Sequence, residues 1–268
     1  AAARVGRYDL DVRGDLETNV ISGLLGYAVN LQGSEIGAFV EMGHGTYDTK
    51  TTVTSPVGET KGDGKHNYVG FGVYGNCATP IDWLHVTGYV KGGWLRNEFS
   101  APIAGVSVDF DRTSNYWGAH LGMYGEFQAA GKIKNRTFLN YFYDGRESES
   151  YSASGSSDVA GADFHFNSLN SHRAQLGSVF EYAYTSALRP YAALTYEYAF
   201  KADAKGRASD QFGDLALNGT DLEGSTGIVS LGWTYQNEAK CFEFDLGVNG
   251  YTGKRQGVSA QLQAAWKF

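Results

Sequence analysis

The last nine residues of the chain alternate between apolar and mostly polar side chains. Every second residue is apolar, and the set is Ala260, Leu262, Ala264, Trp266 and Phe268. Because successive side chains of a β-strand point to opposite faces, this pattern predicts a strand with one apolar and one polar face. An apolar face that ends on an aromatic residue is typical of the strand that closes a transmembrane β-barrel. An amphipathic edge strand of a soluble sheet is the alternative.

The same alternation recurs along the whole chain and predicts twelve strands. Their ranges are 4–12, 18–31, 35–47, 65–77, 82–99, 114–129, 134–146, 171–184, 191–203, 222–236, 241–253 and 256–268. Most exceed the five or six residues that are usual in soluble sheets. A membrane-crossing strand tilted by about 45° needs roughly nine to eleven residues, so these lengths favour a barrel in a bilayer.

The connections between the predicted strands alternate in length. Short turns of three to six residues follow strands 2, 4, 6, 8 and 10, whereas long polar segments follow strands 3, 5, 7 and 9. The long segments are residues 48–64, 100–113, 147–170 and 204–221. Bacterial outer-membrane barrels have short periplasmic turns, long external loops and an even strand number. We therefore expect an all-β fold: a 12-stranded antiparallel transmembrane β-barrel, one domain over residues 1–268, with both termini periplasmic.

Charged residues fall on the polar face of these strands. A Lys or Arg that faces lipid near the bilayer midplane costs about 2–4 kcal/mol, so this face must line the lumen. The predicted lumen-lining charged residues are Glu41, His85, Lys91, His120, Glu126, Arg173, Glu181, Glu197, Glu243 and Asp245. The predicted lipid face of the last strand is Leu262, Ala264, Trp266 and Phe268. An excess of carboxylates over cations in the lumen would favour cation conduction.

The facing of the seventh strand stays open, because apolar and aromatic residues occur on both of its sides. Phe138, Asn140 and Phe142 alternate with Leu139, Tyr141 and Tyr143.

Composition excludes several other classes. The net charge of −7 and the lack of a basic stripe argue against a nucleic-acid partner. No His or Cys pair has a metal-ligand spacing, and no cofactor is expected. Cys77 and Cys241 lie five predicted strands apart, too far for the Cα separation below about 7 Å that a disulfide needs.

Four segments resemble the translocator (β) domain of bacterial type V autotransporters. Residues 39–43, 88–93 and 190–198 resemble strands three, five and nine of that family. The closest match is the decapeptide 250–259, whose family-like outer turn contains Gly250, Tyr251, Gly253, Arg255 and Gly257. The last strand also resembles the assembly signal of outer-membrane barrels. The sequence departs from the family at Ser230, where many relatives carry a glutamate, and it contains neither a lumenal linker helix nor a passenger.

This resemblance implies an anchor and translocation pore in the bacterial outer membrane that secretes or displays an N-terminal passenger. The implied partners are membrane lipids, the outer-membrane barrel assembly machinery and the passenger itself. A passive diffusion channel is the first alternative. An outer-membrane barrel enzyme that hydrolyses lipid or peptide is the second.

We expect no catalytic residue in this chain. Some autotransporters use lumenal carboxylates to activate an asparagine on the threading helix, and paired carboxylates suit such acid–base work. The simpler interpretation is that the lumenal carboxylates brace the wall through salt bridges to His85, Lys91, His120 and Arg173. External His66, His165 and His172 lie close in sequence to aspartates but show no spacing typical of a hydrolase.

The barrel interpretation predicts that the purified chain is β-rich and needs detergent. Its migration in electrophoresis should change on heating, because closure joins every strand into one hydrogen-bonded ring. Circular dichroism and gels of heated and unheated samples measure this. A chain that is soluble and monomeric without detergent would contradict the membrane assignment.

Overall fold

The computed structural model describes residues 1–12, 14–54, 57–103, 106–152, 163–201, 205–210, 213–217 and 222–267. All regular structure in these ranges is β-strand. The strands are β1 (Ala2–Val12), β2 (Gly14–Leu31), β3 (Ser34–Thr54), β4 (Val57–Ala78), β5 (Leu84–Ile103), β6 (Val106–Ala130), β7 (Ile133–Arg146), β8 (Glu149–Ser152), β9 (Asp163–Phe166), β10 (Leu169–Tyr182), β11 (Leu188–Lys201), β12 (Gly206–Asp210), β13 (Gly213–Leu217), β14 (Gly224–Gln236), β15 (Phe242–Gly253) and β16 (Arg255–Trp266). Across the described ranges, no helix is long and apolar enough to span a membrane.

Twelve of these strands form a closed antiparallel barrel. Their order around the wall is β1-β16-β15-β14-β11-β10-β7-β6-β5-β4-β3-β2. The seam between β1 and β16 runs from Ala2 opposite Gln263 to Leu10 opposite Arg255. The Ala1 ammonium extends it by donating to the Ala264 carbonyl oxygen at 2.7 Å. The predicted twelve-stranded barrel is therefore confirmed, and both chain ends lie at the end that carries the short turns.

The outer wall is apolar, with aromatic residues near both of its edges. Trp83 lies beside Phe127, with ring centroids 5.8 Å apart, and Trp94 lies beside Phe71 at 6.4 Å. Eleven residues separate the two tryptophans, which corresponds to about 28 Å of height for a strand tilted by about 40°. This height matches the apolar band of a transmembrane barrel.

Two of the predicted external loops are continuous β-hairpins. β3 and β4 pair as far as Thr54 opposite Val57, and β5 and β6 pair as far as Ile103 opposite Val106. The prediction of loops at residues 48–64 and 100–113 was wrong in this respect. The outer face of these extensions does not need to meet lipid, so the outward apolar alternation that marks the other strands is not required there.

The other two long segments contain a second sheet. β8 and β9 come from residues 147–170, β12 and β13 come from residues 204–221, and the sheet order is β13-β12-β9-β8. Residues 153–157, half of the serine-rich stretch 148–157, lie outside the described residues.

An aromatic seam joins this second sheet to the inner face of the extended hairpins. Tyr151 of β8 stacks on Phe110 of β6, with centroids 4.6 Å apart, and on Phe164 of β9 at 5.0 Å. Phe110 in turn contacts Phe99 of β5 at 5.2 Å. Burial raises the pKa of the Tyr151 phenol, and the neighbouring Glu149 raises it further. The second sheet is thus held against the barrel extension by Tyr151 and its neighbouring rings.

Replacing Tyr151 with alanine should loosen the second sheet while leaving the barrel closed. The change removes a buried aromatic ring, which costs about 3–5 kcal/mol in a packed core. Limited proteolysis of the folded protein should then cut residues 147–170 much faster than in the parent. Ser150→Ala is the control, because it removes one exposed hydrogen bond to His165 in the same sheet but no aromatic ring. Equal cleavage of all three proteins would show that the aromatic seam does not hold the sheet.

Candidate functional site: the barrel lumen

The lumen is lined by alternate residues of the twelve barrel strands. His120 of β6 lies 3.1 Å from Asn140 Oδ1 and stacks on Phe142, with ring centroids 4.7 Å apart. Asn140 and Phe142 of β7 therefore face inward together with Phe138, whereas Leu139 and Tyr141 are exposed on the outer wall. This resolves the facing of the seventh strand.

The largest group of inner charges, here called the upper network, consists of Asp144, Arg173, Gln175, Glu197 and Arg255. Glu197 is only 5% exposed and accepts hydrogen bonds from Gln175 Nε2 at 2.7 Å and Arg255 Nη2 at 2.9 Å. Arg173 Nη1 lies 3.4 Å from Glu197, and Arg173 Nη2 donates to Asp144 at 2.9 Å. The network joins β7, β10, β11 and β16 near the end opposite the chain termini.

A second group lies on the facing wall. Lys91 Nζ of β5 lies 3.0 Å from Oε1 and 3.1 Å from Oε2 of Glu41 on β3, and the Tyr116 hydroxyl of β6 donates to Oε1 at 2.7 Å. The Lys91 ammonium also lies 5.9 Å from the ring centroid of Tyr89. A single carboxylate thus joins three strands that are not all adjacent.

A polar cavity of about 730 Å³ occupies the end nearer the chain termini. Arg189 lies between Glu181 at 3.6 Å and Glu243 at 3.5 Å, and Asp245 accepts from Thr234 at 3.1 Å. Glu126, Arg136 and Ser230 also line this cavity. The Tyr191 ring lies flat over Gly232 and Gly247, where any side chain would collide with it. Aromatic rings that lie against the wall leave room in the bore.

Two of the predicted pairings are wrong. His85 stacks on Tyr124, with ring centroids 4.8 Å apart, and His120 contacts Asn140 and Phe142, so neither imidazole bridges a carboxylate in the described structure. Glu41 binds Lys91, as expected, whereas Glu197, Glu181 and Glu243 bind arginines that lie at strand ends or in predicted turns. A histidine side chain is too short to reach across several strands, whereas an arginine can.

The sequence analysis also missed several inner cations. Arg4, Arg136, Arg189 and Arg255 join Lys91 and Arg173 on the lumen side. Among the described lumenal residues, the excess of carboxylates over cations is therefore much smaller than expected, and the cation bias in conduction stays a prediction. Arg4 and Arg136 lie within the predicted strands 4–12 and 134–146. Extending the predicted strands 191–203 and 256–268 by one or two residues along their inward parity would have found Arg189 and Arg255.

The last strand has the predicted facing as far as the structure describes it. Leu262 and Trp266 are exposed on the outer wall, Ala264 shares their face, and Phe268 lies outside the described residues. The Trp266 ring contacts Phe242 with centroids 5.1 Å apart.

The family-like turn connects β15 and β16 at the opposite end of the barrel. Gly253 and Gly257 have φ angles of +110° and +128°, which other residues rarely adopt. Tyr251 is buried inside the barrel, and Gly250, the residue before it on β15, has open space where a side chain would lie. Arg255, the first residue of β16, points into the upper network.

The remaining candidate residues do not form a common site. His66 stacks on Tyr47, His165 bonds Ser150 at 2.7 Å, and His172 bonds the Tyr141 hydroxyl at 2.6 Å. Within the described ranges no group of three His, Cys, Asp or Glu residues suits a metal ion. Cys77 and Cys241 are both free and lie five strands apart around the wall.

Outside the barrel, the charged residues on the extended hairpins pair with one another. Arg96 binds Asp111 through two nitrogens and lies 3.4 Å from Glu98. The Arg96 hydrogen bond holds the pKa of the Asp111 carboxyl below its usual range.

Comparison with known proteins gives one family and a consistent set of folds. The family model described as the autotransporter beta-domain matches residues 4–266. The translocator domain of the autotransporter NalP from Neisseria meningitidis is similar, with a TM-score of 0.75 and 10% identity, covering 100% of this chain and 87% of that chain. No individual curated sequence matches the chain significantly.

Two further solved structures share the fold. The beta domain of the Bordetella autotransporter BrkA has a TM-score of 0.64 and 13% identity, covering 100% of this chain and 98% of that chain. The transport unit of the autotransporter AIDA-I from Escherichia coli has a TM-score of 0.62 and 13% identity, covering 100% and 89%.

Replacing Glu41 with alanine should destabilise the barrel more than replacing Glu17. Loss of Glu41 leaves the half-buried Lys91 ammonium and the Tyr116 hydroxyl without their acceptor, which costs about 1–3 kcal/mol. Glu17 pairs with Arg7 on the exposed surface, where such a pair contributes less than about 1 kcal/mol. The temperature at which each variant loses its heat-modifiable mobility is the measurement. A larger decrease for Glu17→Ala would contradict this ranking.

Proposed function

We infer that this barrel is an outer-membrane anchor and translocation pore for a passenger, because the chain belongs to the autotransporter beta-domain family. The family match over residues 4–266 is the observation that carries this conclusion. The closed twelve-stranded wall with a polar interior provides what the function needs: an apolar outer surface that lipid tolerates and a wet path through it.

We further propose that the barrel resides in a bacterial outer membrane, with lipids and the barrel assembly machinery as partners. The N-terminus lies at the end of the barrel that has the short turns, which are periplasmic in such barrels. A passenger attached before Ala1 would therefore start at the periplasmic end and would have to pass the barrel to reach the surface. That passenger is the third proposed partner.

The proposal includes no catalysis by this chain. Glu41, Glu197 and Asp245 each accept hydrogen bonds from neighbouring wall residues, as expected of structural carboxylates. A general acid or base would instead need access to the bond that reacts. On this interpretation the lumenal charges hold the wall in shape and keep the bore hydrated.

Surface display tests the proposed function directly. A small epitope-tagged segment with a secretion leader is fused before Ala1, and intact bacteria are treated with an impermeant protease. We expect the tag to be reachable on intact cells and lost on protease treatment, while the barrel stays in the outer-membrane fraction. A barrel that inserts normally but keeps the tag periplasmic would favour the diffusion channel.

Two substitutions in the last strand test whether surface display requires insertion of the barrel into the membrane. Trp266→Ser changes the exposed aromatic of the last strand, whereas Lys267→Ser changes its neighbour on the other face. We expect the tryptophan change to lower membrane yield and display together, and the lysine change to lower neither. Display without membrane insertion of the barrel would exclude it as the pore.

A further inference from the structure

Arg255 lies at the point where the barrel closes and contacts strands on both sides of the seam. Its guanidinium lies 4.5 Å from the ring centroid of Tyr251 on β15 and 5.6 Å from that of Tyr8 on β1. The same group donates to Glu197 on β11 at 2.9 Å. One side chain therefore joins the first strand, the hairpin that ends the chain and a strand three positions away from β16.

The backbone ladder of the seam ends at this residue. Leu10 opposite Arg255 is the last register pair between β1 and β16. At the β15–β16 turn, Lys254 N donates to the Ser225 oxygen at 2.8 Å and Arg255 N donates to Thr226 Oγ1 at 3.2 Å, and both bonds run toward β14. Across the seam, the Tyr8 ring of β1 packs edge-to-face against the Tyr251 ring of β15, with centroids 5.3 Å apart, and the Arg255 guanidinium contacts both rings.

The carboxylate that receives Arg255 is itself held firmly. Glu197 lies opposite Thr226 in the register, and Thr226 is only 3% exposed beneath the turn. Arg173 and Gln175 of β10 bind the same carboxylate from the other side. Since its position is set by β10 and β11, Glu197 can fix where Arg255 lies.

We propose that Arg255, held by Glu197, is a positioning residue that keeps the external end of the β1–β16 seam closed. The planar guanidinium packs against two tyrosine rings that also touch each other, and it donates to a carboxylate at the same time, a combination that a lysine ammonium cannot reproduce. The role concerns closure of the wall and does not depend on what crosses the lumen. Its failure is therefore distinguishable from failure of the proposed transport function.

Amide hydrogen exchange in the detergent-folded 268-residue protein tests this proposal. The exchange rate of a strand reports how often it opens locally. For Arg255→Ala we expect the exchange rates of residues 7–10 of β1 and 256–259 of β16 to rise roughly fivefold or more. A fivefold rise corresponds to a loss of about 1 kcal/mol in local stability. Residues 2–4 and 261–264, at the other end of the same seam, should exchange at the parent rate.

Three further variants keep the test decisive. Arg189→Ala removes another lumenal arginine that binds two carboxylates but is not near β1, so it should leave the whole seam unchanged. Glu197→Gln should also raise the exchange rate at the external end of the seam, as Arg255→Ala does. If Arg255→Ala does not fold, Glu197→Gln serves as the test variant. Arg255→Lys should restore little of the lost protection.

A disulfide across the seam provides the rescue. Arg7 lies opposite Val258 in the register, so cysteines at both positions, with Cys77→Ser and Cys241→Ser, should restore slow exchange in Arg255→Ala. Exchange that rises equally at both ends of the seam, or does not rise at the external end, would overturn the proposal. So would an equal increase in Arg189→Ala.

Discussion

The structure depends on one constraint: inside hydrocarbon, every backbone N–H and C=O group of the wall must form its hydrogen bond with another strand. An unpaired strand edge in the membrane would leave several N–H and C=O groups without partners, each at a cost of several kcal/mol. The β1–β16 seam satisfies this requirement from Ala2 to Leu10, and it makes every barrel strand antiparallel to two neighbours. Closure then divides all side chains of the wall into an outer and an inner set, and the alternation of the sequence follows from that division.

The inner set has its own constraint, because charged groups enclosed by a wall must be paired or hydrated. The barrel meets it with carboxylates that each receive several donors: Glu197 from β10 and β16, Glu41 from β5 and β6, and Asp245 from β11 and β14. These contacts join strands that are separated along the wall, so they stiffen the cross-section as well as satisfy the charges. The aromatic rings that lie over glycines complete this inner surface without filling it.

The sequence predicts most of the barrel and less of its contacts. Period-two alternation is strong wherever one face meets lipid, so all twelve barrel strands and the inward facing of residues such as Glu41 and Lys91 could be read directly. The extended hairpins up to Thr54 and Ile103 carry no such signal because their outer faces meet water instead of lipid. The partners of His85 and His120 could not be predicted either, since they depend on which side chains reach across the curved wall. Arg255 was assigned only to a turn, and its reach to Glu197 requires the register of four strands.

The division into two faces is tested most directly by nitroxide labels placed one at a time along β5, from His85 to Val90, in a cysteine-free protein reconstituted in lipid. Collision with oxygen reports lipid exposure, and collision with a water-soluble nickel complex reports the aqueous lumen. We predict a strict two-residue period, with Val86, Gly88 and Val90 in contact with oxygen and His85, Thr87 and Tyr89 in contact with nickel. Equal access of the water-soluble reagent to all six positions, or a period near 3.6, would contradict a membrane-spanning barrel strand.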